Sequence, residues 1–194
     1  MFETQFDRVG TVLAARLAVT RYAPMALLSV RPGWDERLPD GYRSALTDAL
    51  EWDVRVCDSG EVAALEAVVD EALDLEDEEP MGRLYYPYQA AAIISHCCWG
   101  LGEGLEHPRF VPRLREEAER YARHVDHALM ASAPQPEHAS SRQVGRFAQL
   151  ESDLWQRQAV ASGESAAALA DFSCDVSAQY MAVLASLEGA GTAH

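Results

Sequence analysis

Two imidazoles, His124 and His127, stand three residues apart with Asp126 between them. On a helix that spacing brings both rings to one face, where they could share a metal ion. Carboxylate-bridged helical bundles use Glu-x-x-His on two helices, and the sequence contains neither that motif nor His-Glu-x-x-His. The bland alternative is a pair of imidazoles near a helix C-terminus, where the dipole favours positive charge. His124 and His127 are thus the candidates for a metal site, while the expectation is no metal and no cofactor. His96-Cys97-Cys98 offers a thiol beside an imidazole, the parts of an activated nucleophile. Residues one or two apart on a helix diverge, so they cannot form that pair by themselves. No acceptor for the His96 proton stands nearby in the chain, and burial as structural side chains is expected. Glu151 and Asp153 diverge in the same way and make no general acid/base pair. With no Gly-x-Ser-x-Gly, no P-loop and no Gly-rich dinucleotide turn, no catalytic residue is predicted.

The strongest local signal is charge. Seven of the ten residues from Asp70 to Glu79 are acidic: Asp70, Glu71, Asp74, Glu76, Asp77, Glu78 and Glu79. The spacing and central glycine of a calcium loop are missing. Such a run is either a solvated face that keeps the chain soluble or a docking surface that draws in a basic partner by long-range attraction. These seven residues are the predicted partner-binding site.

Composition agrees with an acidic, non-nucleic-acid role. The 194 residues carry 31 acidic and 16 basic side chains, a net charge of -15, and every basic one is arginine. Residues 1–80 hold 18 acidic against 7 basic and residues 81–194 hold 13 against 9, so the charge is concentrated early. That balance opposes coating a phosphate backbone or lying on anionic lipid. A hydrophobic content of 48% is ordinary for a folded domain.

The elements that must position these residues read as helices. Apolar residues at Phe6, Val9, Leu13 and Leu17 predict a first helix over Phe2–Tyr22, ended or kinked by Pro24. A second follows from an Asp40 N-cap to about Cys57, and a third spans Glu61 to about Leu75. The fourth begins near Pro87 and runs to Gly102 without a polar stripe, so other helices should surround it. The fifth runs from His107-Pro108 to Met130, the sixth over His138–Ser162, and the last from Glu164 or Ser165 to Leu187. Period-2 β-branched runs joined by tight turns are missing. The expected fold is therefore all-α, a single-domain bundle of six or seven helices over residues 1–188 with Leu84–Gly102 near its centre and a flexible tail over 189–194. Its predicted core includes Trp99, Tyr88, Ile93, Ile94, Leu50, Leu65, Val69, Phe147, Trp155, Phe172 and Tyr180.

Leu84–Gly102 is an uncharged stretch long enough to span a bilayer, but Pro87, Gln89, Ser95, His96 and Gly100 would be costly in hydrocarbon. No membrane association is expected. The opening MFETQFDRVG lacks the basic and apolar regions of a secretory leader. Cys57, Cys97, Cys98 and Cys174 form no Cys-x-x-Cys, and buried reduced thiols in a cytoplasmic protein are expected.

Three segments together resemble one family: Leu13-Ala14-Ala15-Arg16-Leu17 through Arg21-Tyr22-Ala23-Pro24, then Tyr86-Pro87-Tyr88-Gln89-Ala90-Ala91, and Gln149-Leu150-Glu151-Ser152-Asp153-Leu154-Trp155. They are similar to the bacterial all-helical family of unknown function typified by YjaG. The resemblance implies a helical fold over nearly the whole chain and brings no catalytic residue. The lysine-free composition and the acidic run before Pro80 depart from the family and point to a specialised partner.

Three functions are compatible with these residues. The first is a non-enzymatic module whose acidic surface binds a basic protein, in its most concrete form an immunity protein neutralising a basic toxin. The second is a metal- or small-ligand-binding enzyme built around His124 and His127. The third is a structural or regulatory homo-oligomer.

Overall fold

Arg8–Ala26 holds five alanines, the strongest helix former and one with little side-chain bulk. It forms α1, and small residues on every side let neighbours approach closely. Thirteen of its nineteen residues are buried, Arg16 and Arg21 among them. The computed structural model describes residues 8–30, 37–52, 58–75, 84–132, 145–159 and 166–190. Within them lie α2 (Tyr42–Leu50), α3 (Ser59–Asp74), α4 (Tyr85–Trp99), α5 (Phe110–Ser132), α6 (Arg146–Ala159) and α7 (Ala166–Ala190). A 3-10 turn over Leu27–Ser29 follows α1, and a π-helical turn over Gly100–Gly104 follows α4. No strand occurs among the described residues. The fold is an all-α single-domain bundle, as the hydrophobic periodicity predicts.

The enclosed centre is shared. α4 is inner, as its lack of a polar stripe implies, but α1 is more enclosed still, with α4 and α7 as its main partners and α2, α5 and α6 around it. Pro24 does not end α1, which continues to Ala26. In a last turn the proline removes one backbone bond only, and full burial of Tyr22, Ala23, Met25 and Ala26 holds the turn in place. Two α7 serines fix the register of α1 and α7. Ser173 donates to the Leu17 carbonyl (3.1 Å) and Ser177 to the Arg21 carbonyl (2.9 Å), so the two helices ascend in the same direction.

Several boundaries differ from the sequence expectation. α2 opens at Gly41, whose φ of 87° is left-handed, and no Asp40 side-chain cap forms. It ends at Leu50, and residues 53–57 lie outside the described residues. Asp58 is the true capping residue: its Oδ1 accepts from Gly60 N (2.8 Å) and Glu61 N (3.1 Å) and opens α3. The early part of the predicted sixth helix, 138–144, also lies outside, as do 1–7, 160–165 and the tail at 191–194. Ile93, Ile94, Leu65, Val69, Phe147, Trp155 and Tyr180 are buried as expected. Tyr88 and Phe172 are only half-buried. Leu50 and Trp99 are 39% and 38% exposed, because each is the final residue of its helix, where enclosure by neighbours stops.

Close ring contacts explain two glycines in the π turn. A Cβ on Gly100 would lie 1.9 Å from the Phe110 ring, and one on Gly104 would lie 2.8 Å from the Trp99 ring. A Cβ on Gly102 would meet nothing within 4 Å. Gly100→Ala is expected to destabilise by roughly 1–3 kcal/mol through overpacking against Phe110. Gly102→Ala is expected to be neutral or slightly stabilising. Denaturant midpoints of the two variants check this; equal midpoints would contradict the packing of Phe110.

Candidate functional site

α3 divides cleanly into two faces. Val62, Leu65 and Val69 are buried, at the i, i+3, i+7 spacing of an inward stripe. The rest of the helix carries Glu61, Glu66, Asp70, Glu71 and Asp74 and no basic residue. Asp70, Glu71 and Asp74 are exposed. Glu76, Asp77, Glu78 and Glu79 lie outside the described residues.

Two acids of α3 stand where a helix tolerates them least. Glu71 and Asp74 fall in its last turn, at the negative end of the dipole, and no base accompanies them there. α3 packs on α4 and on the π turn. Ser95 of α4 donates to Asp70 Oδ1 (2.6 Å). Partial burial, then the like charges of Asp70 and of Glu103 in the π turn, push the Glu66 carboxyl above its ordinary range. Glu66 thus meets like charge from its own helix and from the π turn.

The other sequence candidates separate. His124 and His127 are both exposed, and His124 stacks on Tyr85 with ring centroids 4.9 Å apart. Asp126 turns away from them and is buried. Its two oxygens accept from Phe147 N and Ala148 N, both at 3.1 Å, so it caps the first turn of α6 from a neighbouring helix. Among the described residues no group of three His, Cys, Asp or Glu is placed to hold a metal ion. Cys97 and Cys98 are buried, but Cys174 is exposed, contrary to the expectation of buried thiols. Burial, then the neighbouring Cys98, hold the Cys97 thiol well above its usual value, so it is no thiolate nucleophile.

His96 does have an acceptor, supplied by α5. Its Nδ1 lies 2.7 Å from Glu117 Oε2, and Arg113 Nε donates to Glu117 Oε1 (3.1 Å). Burial opposes the Glu117 charge, but the His96 bond and then Arg113 outweigh it and leave the carboxyl below its ordinary range. A depressed carboxyl stabilises the fold above its unfolded pKa, and that contribution is lost as pH falls through the folded value. Glu117→Gln is therefore expected to cost about 1 kcal/mol at neutral pH. The difference from wild type should shrink below about pH 4. Urea unfolding at several pH values measures it; a constant difference down to low pH would contradict the pair.

The feature that sequence reasoning missed lies deepest. Arg21 of α1 and Glu151 of α6 are both fully buried, with Nε 3.1 Å from Oε1. Tyr22 donates to the same oxygen (2.9 Å), as does Tyr180 (3.3 Å), and Arg21 NH1 donates to Ser173 Oγ (3.2 Å). Burial works against the Arg21 charge, but Glu151 prevails and raises its pKa. Burial first, then Glu151, raise the Tyr22 and Tyr180 hydroxyls well above the ordinary tyrosine value. Tyr121 packs edge-on against both rings, with centroids 5.3 and 5.5 Å away, and Phe147 stacks on Tyr180 at 4.5 Å. Arg16 lies over the Trp52 ring at 4.1 Å. With no solvent path to the charged atoms, this network pins α1, α6 and α7 together and offers no surface to a substrate.

Among the described residues, no helix is long and apolar enough to cross a membrane. No family model matches the chain, and no curated protein and no solved structure matches it.

Proposed function

We propose that this protein is a non-enzymatic binding module whose α3 face receives a basic protein partner. The observation that carries the reading is the placement of exposed carboxylates at Asp70, Glu71 and Asp74, without a base, at the negative end of their helix. Asp70 also binds Ser95 of α4, but the fold gains nothing from Glu71 and Asp74 and is mildly destabilised by them. A cationic counterpart would relieve the repulsion at Glu66, Asp70 and Glu103 and gain association rate from the field of a net -15 chain. The most concrete form is an immunity protein that covers the phosphate-binding groove of a basic toxin in the cytoplasm. None of the segments that resemble YjaG-like proteins lies on α3, so that resemblance bears on the scaffold, and the acidic face is this chain's own.

Affinity purification from the organism that expresses the chain tests the reading. The wild type and the Asp70→Asn, Glu71→Gln, Asp74→Asn variant serve as baits, with salt elution and mass spectrometry. The expected result is a high-pI protein that the wild type retains at low salt and the variant releases. Equal retention by both baits, or no basic protein on either, would contradict it.

A further inference from the structure

Among the described residues, Trp99 is the large aromatic side chain that the fold leaves most open, at 38% exposure. It is nonetheless held rigidly. Its ring lies against the Gly104 backbone so closely that a Cβ there would come within 2.8 Å. Phe110 meets it at 6.0 Å and 76°, His107 at 5.8 Å and 65°, and His96 at 5.8 Å. The five-residue π turn, Gly100–Gly104, produces this arrangement, and such turns recur where a side chain must be aimed. A rigid, half-open indole matches the type of residue that anchors protein interfaces, because little entropy remains to be lost on binding.

Carboxylates stand on the elements next to the ring. Exposed Glu103 adjoins Gly104, whose backbone the ring touches, and α3, which carries Asp70, packs on this π turn. Ser95, one helical turn before Trp99, is the residue that binds Asp70. Arg113 is already paired with Glu117, which leaves Arg109 as the exposed cation closest in sequence. An apolar ring with carboxylates on the adjoining elements attracts a group that is both cationic and flat. Guanidinium meets that description: it stacks on indole, is weakly hydrated, and forms paired bonds to a carboxylate. Ammonium is a strongly hydrated point charge and gains less from the ring.

We infer that Trp99 is the anchor of the acidic face, and that it stacks an arginine side chain of the partner while Glu103 and the α3 carboxylates hold the charge. This rests on the acidic-face reading above and names the partner chemistry: an arginine-rich segment of a basic protein.

Two short peptides test it, an arginine–serine repeat and a lysine–serine repeat of equal length and charge, titrated onto the full chain by calorimetry at low ionic strength. The wild type is expected to bind the arginine peptide about fivefold tighter than the lysine peptide. Trp99→Leu, which keeps apolar bulk, should bring the arginine peptide down to the lysine level, and Trp99→Tyr should keep most of the preference. Circular dichroism confirms that each variant is folded. Neutralising Asp70, Glu71 and Asp74 together should weaken both peptides alike. Equal binding of the two peptides, or an arginine preference that survives Trp99→Leu, overturns the role of Trp99 and leaves the acidic face standing. Failure of both peptides to bind overturns the acidic face itself and this inference with it.

Discussion

Replacing Glu151 by alanine is expected to destabilise the protein by about 3–5 kcal/mol. The variant strands Arg21, at zero exposure, without its counter-ion and removes the shared acceptor of Tyr22 and Tyr180. Since a domain of this kind is stable by only about 5–15 kcal/mol, much of the protein would be unfolded at modest temperature. The effect belongs to the broken pair and not to lost volume. Glu151→Leu combined with Arg21→Met should therefore recover most of the stability, because an apolar pair of similar size avoids burying any charge. Tyr22→Phe, which leaves the carboxylate one donor short, should cost about 1–3 kcal/mol. Denaturant unfolding of the set decides. If Glu151→Ala costs under about 1 kcal/mol, the pair is not buried as described.

The second large effect is kinetic. Asp70→Asn, Glu71→Gln and Asp74→Asn together should slow association with a basic partner about tenfold or more at low salt. The gap should close as ionic strength rises past about 0.5 M, where the Debye length falls to a few ångströms. The same variant should unfold no more easily than the wild type, and slightly less easily if anything, since Glu71 and Asp74 oppose the dipole of α3. Loss of binding with unchanged or increased stability is the signature of a surface kept for recognition. Stopped-flow association and thermal melts of one preparation read both quantities. A stability loss parallel to the binding loss would mean that these carboxylates serve the fold.

Much of the scaffold was legible because helices announce themselves by period. The inward stripe Val62, Leu65, Val69 of α3 and the uncharged run of α4 both follow from spacing alone. Caps were harder: Asp58 and Asp40 look equally capable, and only the left-handed Gly41 separates them. The share of α1 in the centre, beside α4, was missed because alanine carries little hydrophobic signal. α1 also includes three arginines, Arg8, Arg16 and Arg21, so it reads as half-polar although it is the most enclosed helix. The Arg21–Glu151 pair joins residues 130 apart in the chain, and no local pattern marks such a contact. His96–Glu117 and Asp126 capping α6 were hidden for the same reason. The acidic face needed no tertiary information, since charge on α3 is a property of composition. Trp99 was expected in the core because it ends the most apolar segment. The π turn that holds it half-open depends on Gly100 and Gly104 meeting two rings, which spacing does not reveal.

The most direct measurement is backbone amide shift mapping of the isotope-labelled protein titrated with the arginine–serine peptide at low salt. Perturbations should concentrate on residues 66–75 of α3 and on 95–107 around Trp99 and Glu103, and they should fade together when salt is raised. Shifts centred on another face, or none at all, would contradict the assignment of this surface as the place where a cationic partner docks.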